Sequence, residues 1–277
     1  MRIPIIAGNW KMYKTPAEAV AFVKELAPKL APYTSVQRVV CPPFVCIPGV
    51  REALAGTDIG VGAQNMYWED QGAFTGEVSP MMLAGLVDYV IIGHSERRGY
   101  FGETDTTVNY KIKAALKHNL KPIVCVGESL EQNRAGETVT FVGGQVRAAF
   151  DKLTAEQMLQ IVVAYEPIWA IGTGINATGE DANRIIRDAV RHVLAEVFGD
   201  AVAQAVRIQY GGSVKPENMA EFMTQPHIDG ARVGGASLLV GSVSTENARF
   251  GETLAVLRAD WARMAEAGPS EDEVAAG

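Results

Sequence analysis

Eight short apolar runs recur along the chain, at residues 3–7, 38–41, 59–62, 89–92, 122–126, 161–165, 207–210 and 230–233. Most of them are apolar at every position rather than at alternate positions, which is typical of strands in a parallel sheet covered on both faces. Successive runs start about 20 to 45 residues apart, which leaves room for a crossover helix after each strand. The pattern therefore predicts an α/β protein.

Helix signals lie between the strands. Thr15 is followed by Pro16 and by Glu18, which predicts a helix with a threonine N-cap, a proline in its first turn and an acidic first turn. A second helix is predicted from Thr178 to Phe198, ending at Gly199, and a third is predicted to begin near residues 215–218. Eight strand-then-helix units predict one (β/α)8 barrel over residues 1–257, and an open doubly wound sheet is the alternative. Residues 258–265 are expected to end the last helix, and the acidic segment 266–277 to be a disordered tail.

Composition narrows the functional classes. The 277 residues suit a single barrel, and 48% hydrophobic residues suffice for a large core. The 25 Lys and Arg against 32 Asp and Glu give a net charge of −7, so we expect no general attraction to nucleic acid or to an anionic membrane. An anionic substrate would then need local positive groups.

Targeting signals and cysteine chemistry are not expected. No apolar run approaches the roughly 18 residues of a membrane span, and the N-terminus lacks the apolar stretch of a secretory signal. Cys41, Cys46 and Cys125 are too few and too irregularly spaced for a disulfide framework or a zinc site. We expect buried, inert thiols, no metal and a cytoplasmic protein.

Polar and glycine-rich segments follow five of the predicted strands: residues 8–11 (GNWK), 93–98 (GHSERR), 166–174 (EPIWAIGTG), 211–213 (GGS) and 234–237 (GGAS). The active site of such a barrel lies at the carboxyl ends of its strands, so these segments are expected to meet at one rim. The glycine pairs at 211–212 and 234–235 suggest backbone N–H groups that approach a phosphate, although glycine pairs also make ordinary turns.

Three side chains at this rim are candidates for chemistry. Glu166 follows a strand directly and suits a partly desolvated general base, the ordinary alternative being a solvated loop carboxylate. His94 suits an acid or electrophile that a helix starting at residue 95 would keep neutral; otherwise it is a hydrogen-bonded loop histidine. Lys11 supplies positive charge or is a surface lysine. The segment after Glu166 is apolar in its middle and ends in Gly-Thr-Gly, which indicates a lid that excludes water.

Residues 7–12, 93–98, 164–174, 210–214 and 233–238 resemble the triosephosphate isomerase family, and residues 165–174 are the most specific of them. The resemblance extends from residue 3 to about residue 257. The resemblance implies a cofactor-free isomerase of glycolysis and gluconeogenesis. Its reaction interconverts dihydroxyacetone phosphate and glyceraldehyde 3-phosphate through an enediolate, and its chains pair as homodimers. Another phosphosugar barrel would share the glycines but not the lid or the histidine segment.

The resemblance also implies a role for each site residue. The catalytic residues would be Glu166, His94, Lys11 and Asn9, supported by Glu96 and Ser95. Substrate and phosphate would be held by Asn9, Lys11, Gly172, Ser213, Gly234 and Gly235. The lid would comprise Pro167, Ile168, Trp169, Ala170, Ile171, Gly172, Thr173 and Gly174. A protruding loop would bring Thr75 to the partner's active site, and Glu77 would pair with Arg98.

Two positions depart from the family pattern. Arg232 stands where the family usually has a leucine that packs against the catalytic glutamate. A buried arginine there would lower the pKa of Glu166 and weaken it as a base. Alternatively the stem of Arg232 packs while its head group reaches solvent, which is the arrangement we expect. Leu239 replaces a frequent lysine at a surface contact. Arg232 alone favours the alternative of a non-catalytic or impaired phosphate-binding barrel of the same family.

Overall fold

The computed structural model describes residues 2–171, 177–214 and 218–234, and this part of the chain forms a closed barrel of eight parallel strands. Neighbours in sequence are neighbours in the barrel, and β1 pairs with both β2 and β8, which closes the sheet. The strands are β1 Ile5–Asn9, β2 Gln37–Cys41, β3 Gly60–Ala63, β4 Tyr89–Ile92, β5 Lys121–Val126, β6 Val162–Tyr165, β7 Arg207–Tyr210 and β8 Gly230–Val233. The predicted barrel is confirmed and the open sheet is wrong.

Helices follow the strands and cover the outside of the barrel. In the described ranges they are α1 Pro16–Leu30, α2 Ile47–Ala53, α3 Pro80–Leu83, α4 Ser95–Phe101, α5 Asp105–Lys117, α6 Leu130–Arg134, α7 Thr138–Ala149, α8 Ala155–Met158, α9 Gly179–Ile185, α10 His192–Phe198, α11 Asp200–Ala205 and α12 Met219–Met223. A π-helical segment, Ile186–Arg191, joins α9 to α10, and 3-10 turns occupy Phe44–Cys46 and Ile168–Ala170.

Local sequence explains where these helices begin and end. The Thr15 hydroxyl accepts a hydrogen bond from the Glu18 backbone N–H, and the Glu18 carboxylate accepts one from the Thr15 N–H, so the predicted cap of α1 is a full capping box. Thr178 caps α9 through its hydroxyl. The helical run then continues to Phe198 and stops at Gly199, whose φ of 88° lies outside the helical region.

The strands separate two apolar regions. Side chains on one face fill the lumen of the barrel, and those on the other face pack against the helices. Tyr89 is the bulkiest apolar lumen residue, and Gly60 faces it. A Cβ at residue 60 would lie 3.1 Å from the Tyr89 ring, so the glycine leaves the space that the ring occupies.

Polar and small residues fill the lumen beside β7 and β8. The Gln209 amide is buried and donates hydrogen bonds to the carbonyl oxygens of Ile5, at 3.2 Å, and Ala231, at 3.4 Å. A Cβ on Gly230 would lie 1.9 Å from the Ile5 carbonyl oxygen. Closure of the barrel therefore depends on glycine at residue 230.

The cysteine prediction is confirmed in part. Cys41, Cys46 and Cys125 are free and buried, and burial raises the pKa of the Cys41 thiol to about 12. The predicted helix start near residues 215–218 is described only from Asn218 onward, where α12 follows. The boundaries at residues 257 and 265, the acidic tail and Leu239 lie outside the described residues.

No helix within ranges 2–171, 177–214 and 218–234 is long and apolar enough to cross a membrane.

The seam between β1 and β8, where the sheet closes into a barrel, offers a stability test. Gly230→Ala should lower the free energy of unfolding by about 3 kcal/mol or more, because the added methyl group collides with the backbone of β1. Gly144→Ala is the matched control. Residue 144 is exposed inside α7 and has open space at its Cβ position, so alanine there should stabilise by about 0.5–1 kcal/mol. Urea unfolding measures both changes. Equal effects of the two variants would contradict the close approach of the β1 and β8 backbones at residue 230.

Candidate active site

The carboxyl ends of the strands bring the predicted chemical groups together. Asn9 is the last residue of β1, His94 follows β4 and Glu166 follows β6 directly. All three side chains are buried at this rim. The distance from His94 Nε2 to Glu166 Oε1 is 3.8 Å, so residues 72 positions apart in sequence form one site.

Backbone contacts between neighbouring strand ends fix the position of Glu166. The Glu166 N–H donates to the Val126 carbonyl oxygen at 2.7 Å, and the Gly211 N–H donates to the Tyr165 carbonyl oxygen at 2.7 Å. A Cβ on Gly127 would lie 1.7 Å from the Glu166 carbonyl oxygen, so only glycine fits there. The Glu166 side chain is 1% exposed, and its Oε2 accepts a hydrogen bond from the Ser95 N–H at 3.0 Å.

Arg232 forms a buried ion pair with this carboxylate, between Nη2 and Oε1 of Glu166. The expectation that its head group reaches solvent is wrong, because Arg232 is 3% exposed. The reason is strand alternation: residues 230 and 232 of β8 both face the lumen, which gives a long side chain no route outward. Arg232 Nη2 also donates to the Gly211 carbonyl oxygen at 3.3 Å.

The ion pair with Arg232 reverses the effect that burial is expected to have on the pKa of Glu166. Burial by itself raises the pKa of the carboxyl group. The Arg232 guanidinium, helped by His94, the Cys125 thiol and the Ser95 N–H, more than offsets burial, and the pKa lies at about 2. The carboxylate is therefore ionised at neutral pH.

His94 is held neutral. It is the N-cap of α4, and its Nδ1 accepts a hydrogen bond from the Glu96 backbone N–H at 3.1 Å, which places the ring proton on Nε2. Burial, together with the positive charge of Arg232, lowers its pKa to about 4 despite the attraction of Glu166. Nε2 makes no hydrogen bond to the described residues, so its proton is available to a ligand.

Lys11 brings a positive charge to the same rim. Its backbone has a φ of 52°, and its N–H donates to Asn9 Oδ1 at 3.0 Å. Lys11 Nζ donates to Glu96 Oε1 at 2.5 Å, which places Glu96 in a supporting position. A Cβ on Gly234 would lie 3.8 Å from Lys11 Cε, so the ends of β1 and β8 are adjacent.

The first half of the predicted lid is anchored by two hydrogen bonds. Trp169 Nε1 donates to Glu128 Oε1 at 2.8 Å, and the Ser213 N–H donates to the Ala170 carbonyl oxygen at 3.2 Å. In this arrangement the Ser213 N–H, predicted to bind phosphate, is engaged by the lid. The predictions for Gly172, Thr173, Gly174 and Gly235 concern residues outside the described ranges.

The predicted dimer residues lie on the same side of the barrel. Thr75 and Glu77 are exposed in the segment between β3 and α3. Arg98 Nη1 donates to Asp105 Oδ1 at 2.6 Å and its Nε donates to the Gly93 carbonyl oxygen at 2.9 Å. Arg98 is thus held beside the active site by its own chain.

Sequence reasoning overlooked the segment after β5. Gly127 leaves room for the Glu166 backbone, and the buried Glu128 carboxylate accepts hydrogen bonds from the lid tryptophan and from Tyr165. The Cys125 thiol also contacts Glu166. The signal was present, because Gly-Glu-Ser follows the apolar run 122–126 as polar residues follow the other strands.

His94 makes stability depend on pH. Its folded pKa lies below its unfolded value of about 6.5, so the unfolded chain binds the extra proton between these values. Stability is therefore lost as pH falls from about 6.5 to about 4, by about 3 kcal/mol. His94→Gln should remove this part of the dependence in urea unfolding, whereas His192→Gln, at an exposed histidine, should not. Identical pH profiles for wild type and His94→Gln would rule out the depressed pKa.

Comparison with known proteins agrees with this geometry. The family model described as "Triosephosphate isomerase" matches residues 4–248. The triosephosphate isomerase of Caldanaerobacter subterraneus subsp. tengcongensis is 57% identical over 240 residues, which cover 86% of this chain and 96% of the relative. The enzyme of Clostridium perfringens is 58% identical over the same shares. That of Chloroflexus aurantiacus is 56% identical over 243 residues, 87% of this chain and 97% of the relative. The chain belongs to the triosephosphate isomerase family.

Proposed function

We propose that this isomerase interconverts dihydroxyacetone phosphate and glyceraldehyde 3-phosphate with Glu166 as the base and His94 as a neutral acid. The observation that carries the proposal is the juxtaposition of an ionised carboxylate and a neutral imidazole, 3.8 Å apart at the barrel rim. Both groups are buried, so water competes little for the reacting atoms.

The reaction needs one proton to move between adjacent carbons. Glu166 takes a proton from the carbon next to the carbonyl. The electron pair of that C–H bond forms a carbon–carbon double bond, and the π pair of the carbonyl moves onto its oxygen to give an enediolate. Glu166 then returns the proton to the neighbouring carbon. The base ends in the form in which it began, and no redox group or cofactor is needed.

His94 and Lys11 act on the oxygens. The Nε2–H of His94 has no partner in the described part of the chain, so it is free to donate a hydrogen bond to the carbonyl oxygen of the substrate. His94 then transfers protons between the two oxygens of the enediolate. A neutral imidazole suits this role because its acidity is closer to that of an enediol than the acidity of imidazolium, and such tuning is already known for triosephosphate isomerases. Lys11 and Asn9 stabilise the negative charge, with Glu96 and Ser95 in support.

The phosphate would bind at the ends of β7 and β8, on the side of the proposed lid. Backbone N–H groups of Gly172, Ser213, Gly234 and Gly235 would hold it, with Lys11 supplying charge in a chain whose net charge is −7. The Ser213 N–H donates to the Ala170 carbonyl oxygen here, so phosphate binding at Ser213 would require this part of the lid to move. The lid, Pro167 to Gly174, would close over the enediolate and prevent loss of its phosphate.

Homodimer formation is part of the proposal. Exposed apolar side chains follow each of the first four strands, namely Met12, Tyr13, Val45, Phe74, Met81, Met82, Tyr100 and Phe101. Because the ends of parallel neighbouring strands share one side of the barrel, we expect these side chains to form one apolar region there. Thr75 and Glu77 lie within it and would reach the partner's site, with Glu77 pairing with Arg98.

The proposed role of the enzyme in glycolysis and gluconeogenesis implies a cytoplasmic location.

The base assignment is tested by a coupled assay with glyceraldehyde 3-phosphate. Glu166→Asp should lower kcat by about 100-fold or more, because a carboxylate retracted by one methylene group is misplaced by about 1 Å. Glu156→Gln, at an exposed position in α8 away from the rim, should keep wild-type activity. Wild-type turnover in Glu166→Asp would remove Glu166 from the role of base.

Dimerisation is tested by sedimentation. The wild type should have twice the mass of the chain, and Thr75→Arg should give monomers with lower kcat, because a bulky charge cannot enter the partner's site. Val139→Arg is the control, since Val139 is an exposed apolar residue of α7 outside this region. A monomeric wild type with full activity would contradict the dimer.

A further inference from the structure

We propose that Arg232 is a positioning residue that restrains Glu166 in the substrate-free enzyme, so that the carboxylate must leave the arginine before it takes a proton from substrate. The inference rests on the proposed role of Glu166 as the base. It concerns a side chain that takes no part in the proton transfers themselves.

Both oxygens of the Glu166 carboxylate are engaged. Oε2 accepts a hydrogen bond from the Ser95 N–H at 3.0 Å, and Oε1 forms the ion pair with Arg232. With the side chain almost fully buried, neither oxygen points freely toward a ligand. A carboxylate in this state has to exchange at least one partner when it attacks a carbon-bound proton.

The surrounding strands are shaped to hold the pair. Arg232 Nη2 is tethered to the Gly211 carbonyl oxygen at 3.3 Å. A Cβ on Gly211 would lie 2.9 Å from Glu166 Cγ and 3.5 Å from Arg232 Nε. The absence of a side chain at residue 211 therefore leaves the space in which the two side chains meet, at the ends of β6, β7 and β8.

The charges around Glu166 show what the restraint does. Arg232 faces it from β8, neutral His94 and the Ser95 N–H from the segment after β4, and the Cys125 thiol from β5. Lys11 and Glu96 lie on the far side of His94 and neutralise each other as an ion pair. In the described part of the chain Arg232 is thus the permanent cation that contacts the base, and it keeps the pKa of Glu166 at about 2. A carboxylate of such low pKa accepts protons weakly.

The test compares kcat and KM from about pH 4 to about pH 9. The variants are Arg232→Leu and Arg232→Gln, which remove the charge, and Arg232→Lys, which keeps it. Arg38→Met is the matched control, because Arg38 is equally buried and pairs with Asp58, but its position in β2 faces the helices. The rate of each variant is divided by that of the wild type at every pH, which cancels the titration of the substrate phosphate.

The charge-removing variants should raise kcat at neutral pH about tenfold with little change in KM. Their kcat/KM should also gain an acid limb, falling about tenfold per pH unit where the wild type stays level. Arg232→Lys and Arg38→Met should follow the wild type. A lower or unchanged kcat in both charge-removing variants, or the absence of the new acid limb, would overturn the proposal.

A second measurement, on the wild type, keeps the proposal testable if the Arg232 variants fail to fold. Carbon-13 NMR of glutamate-labelled wild type, with Glu166 assigned by Glu166→Gln, reports the carboxyl titration directly. A titration midpoint well below that of an ordinary glutamate is expected, and an ordinary or raised midpoint would overturn the restraint. Failure of the base assignment is separate, because only that failure leaves Glu166→Asp fully active.

Discussion

Closure of the sheet between β1 and β8 is the constraint on which the rest of the structure depends. The register pairs Ala7 with Arg232 and Gly8 with Val233, and the same pairing brings Lys11 beside Gly234. Without this seam, the cation from one end of the chain and the glycines from the other end would not share a site. The seam in turn requires a residue without a side chain at position 230, because the strands approach each other through the backbone there.

The pKa values of the groups at the rim follow from their burial in the closed barrel. Burial favours the neutral forms of both His94 and Glu166, but only His94 is left neutral. Burial alone would raise the pKa of Glu166, but the ion pair with the Arg232 guanidinium keeps the carboxylate ionised. One desolvated environment thus holds an uncharged acid beside a charged base, and the difference comes mainly from Arg232 of β8. Enzymes commonly separate the pKa values of two neighbouring groups to assign their roles, and here ion pairing of the base produces that separation.

Most of the fold was predictable because its signal is local. Fully apolar runs mark buried parallel strands, and the predicted bounds of β4, β7 and β8 are those of the structure. The apolar pattern predicts that β1 starts at residue 3, which is too early, because Ile3 is apolar but exposed and the strand begins at Ile5. The site residues that follow strands were also predictable, as with Glu166 and His94.

The direction of the Arg232 side chain was not predictable in the same way. An arginine at the end of a strand is normally solvated, and only the register of β8 shows that residue 232 faces the lumen. The anchoring of Trp169 on Glu128 likewise depends on a contact between residues 41 positions apart. Such pairings are set by three-dimensional proximity, which periodicity does not encode.

The fit between Gly60 and the Tyr89 ring has a consequence for how the sequence of the lumen can change. A larger residue at position 60 has no room while the tyrosine remains, and a smaller residue at position 89 leaves a void while the glycine remains. The two single changes are each unfavourable, but the double change can conserve volume, so their effects on stability are not additive. Residues 60 and 89 therefore form a coupled pair across adjacent strands, and homologous barrels can exchange which strand carries the bulk only by changing both.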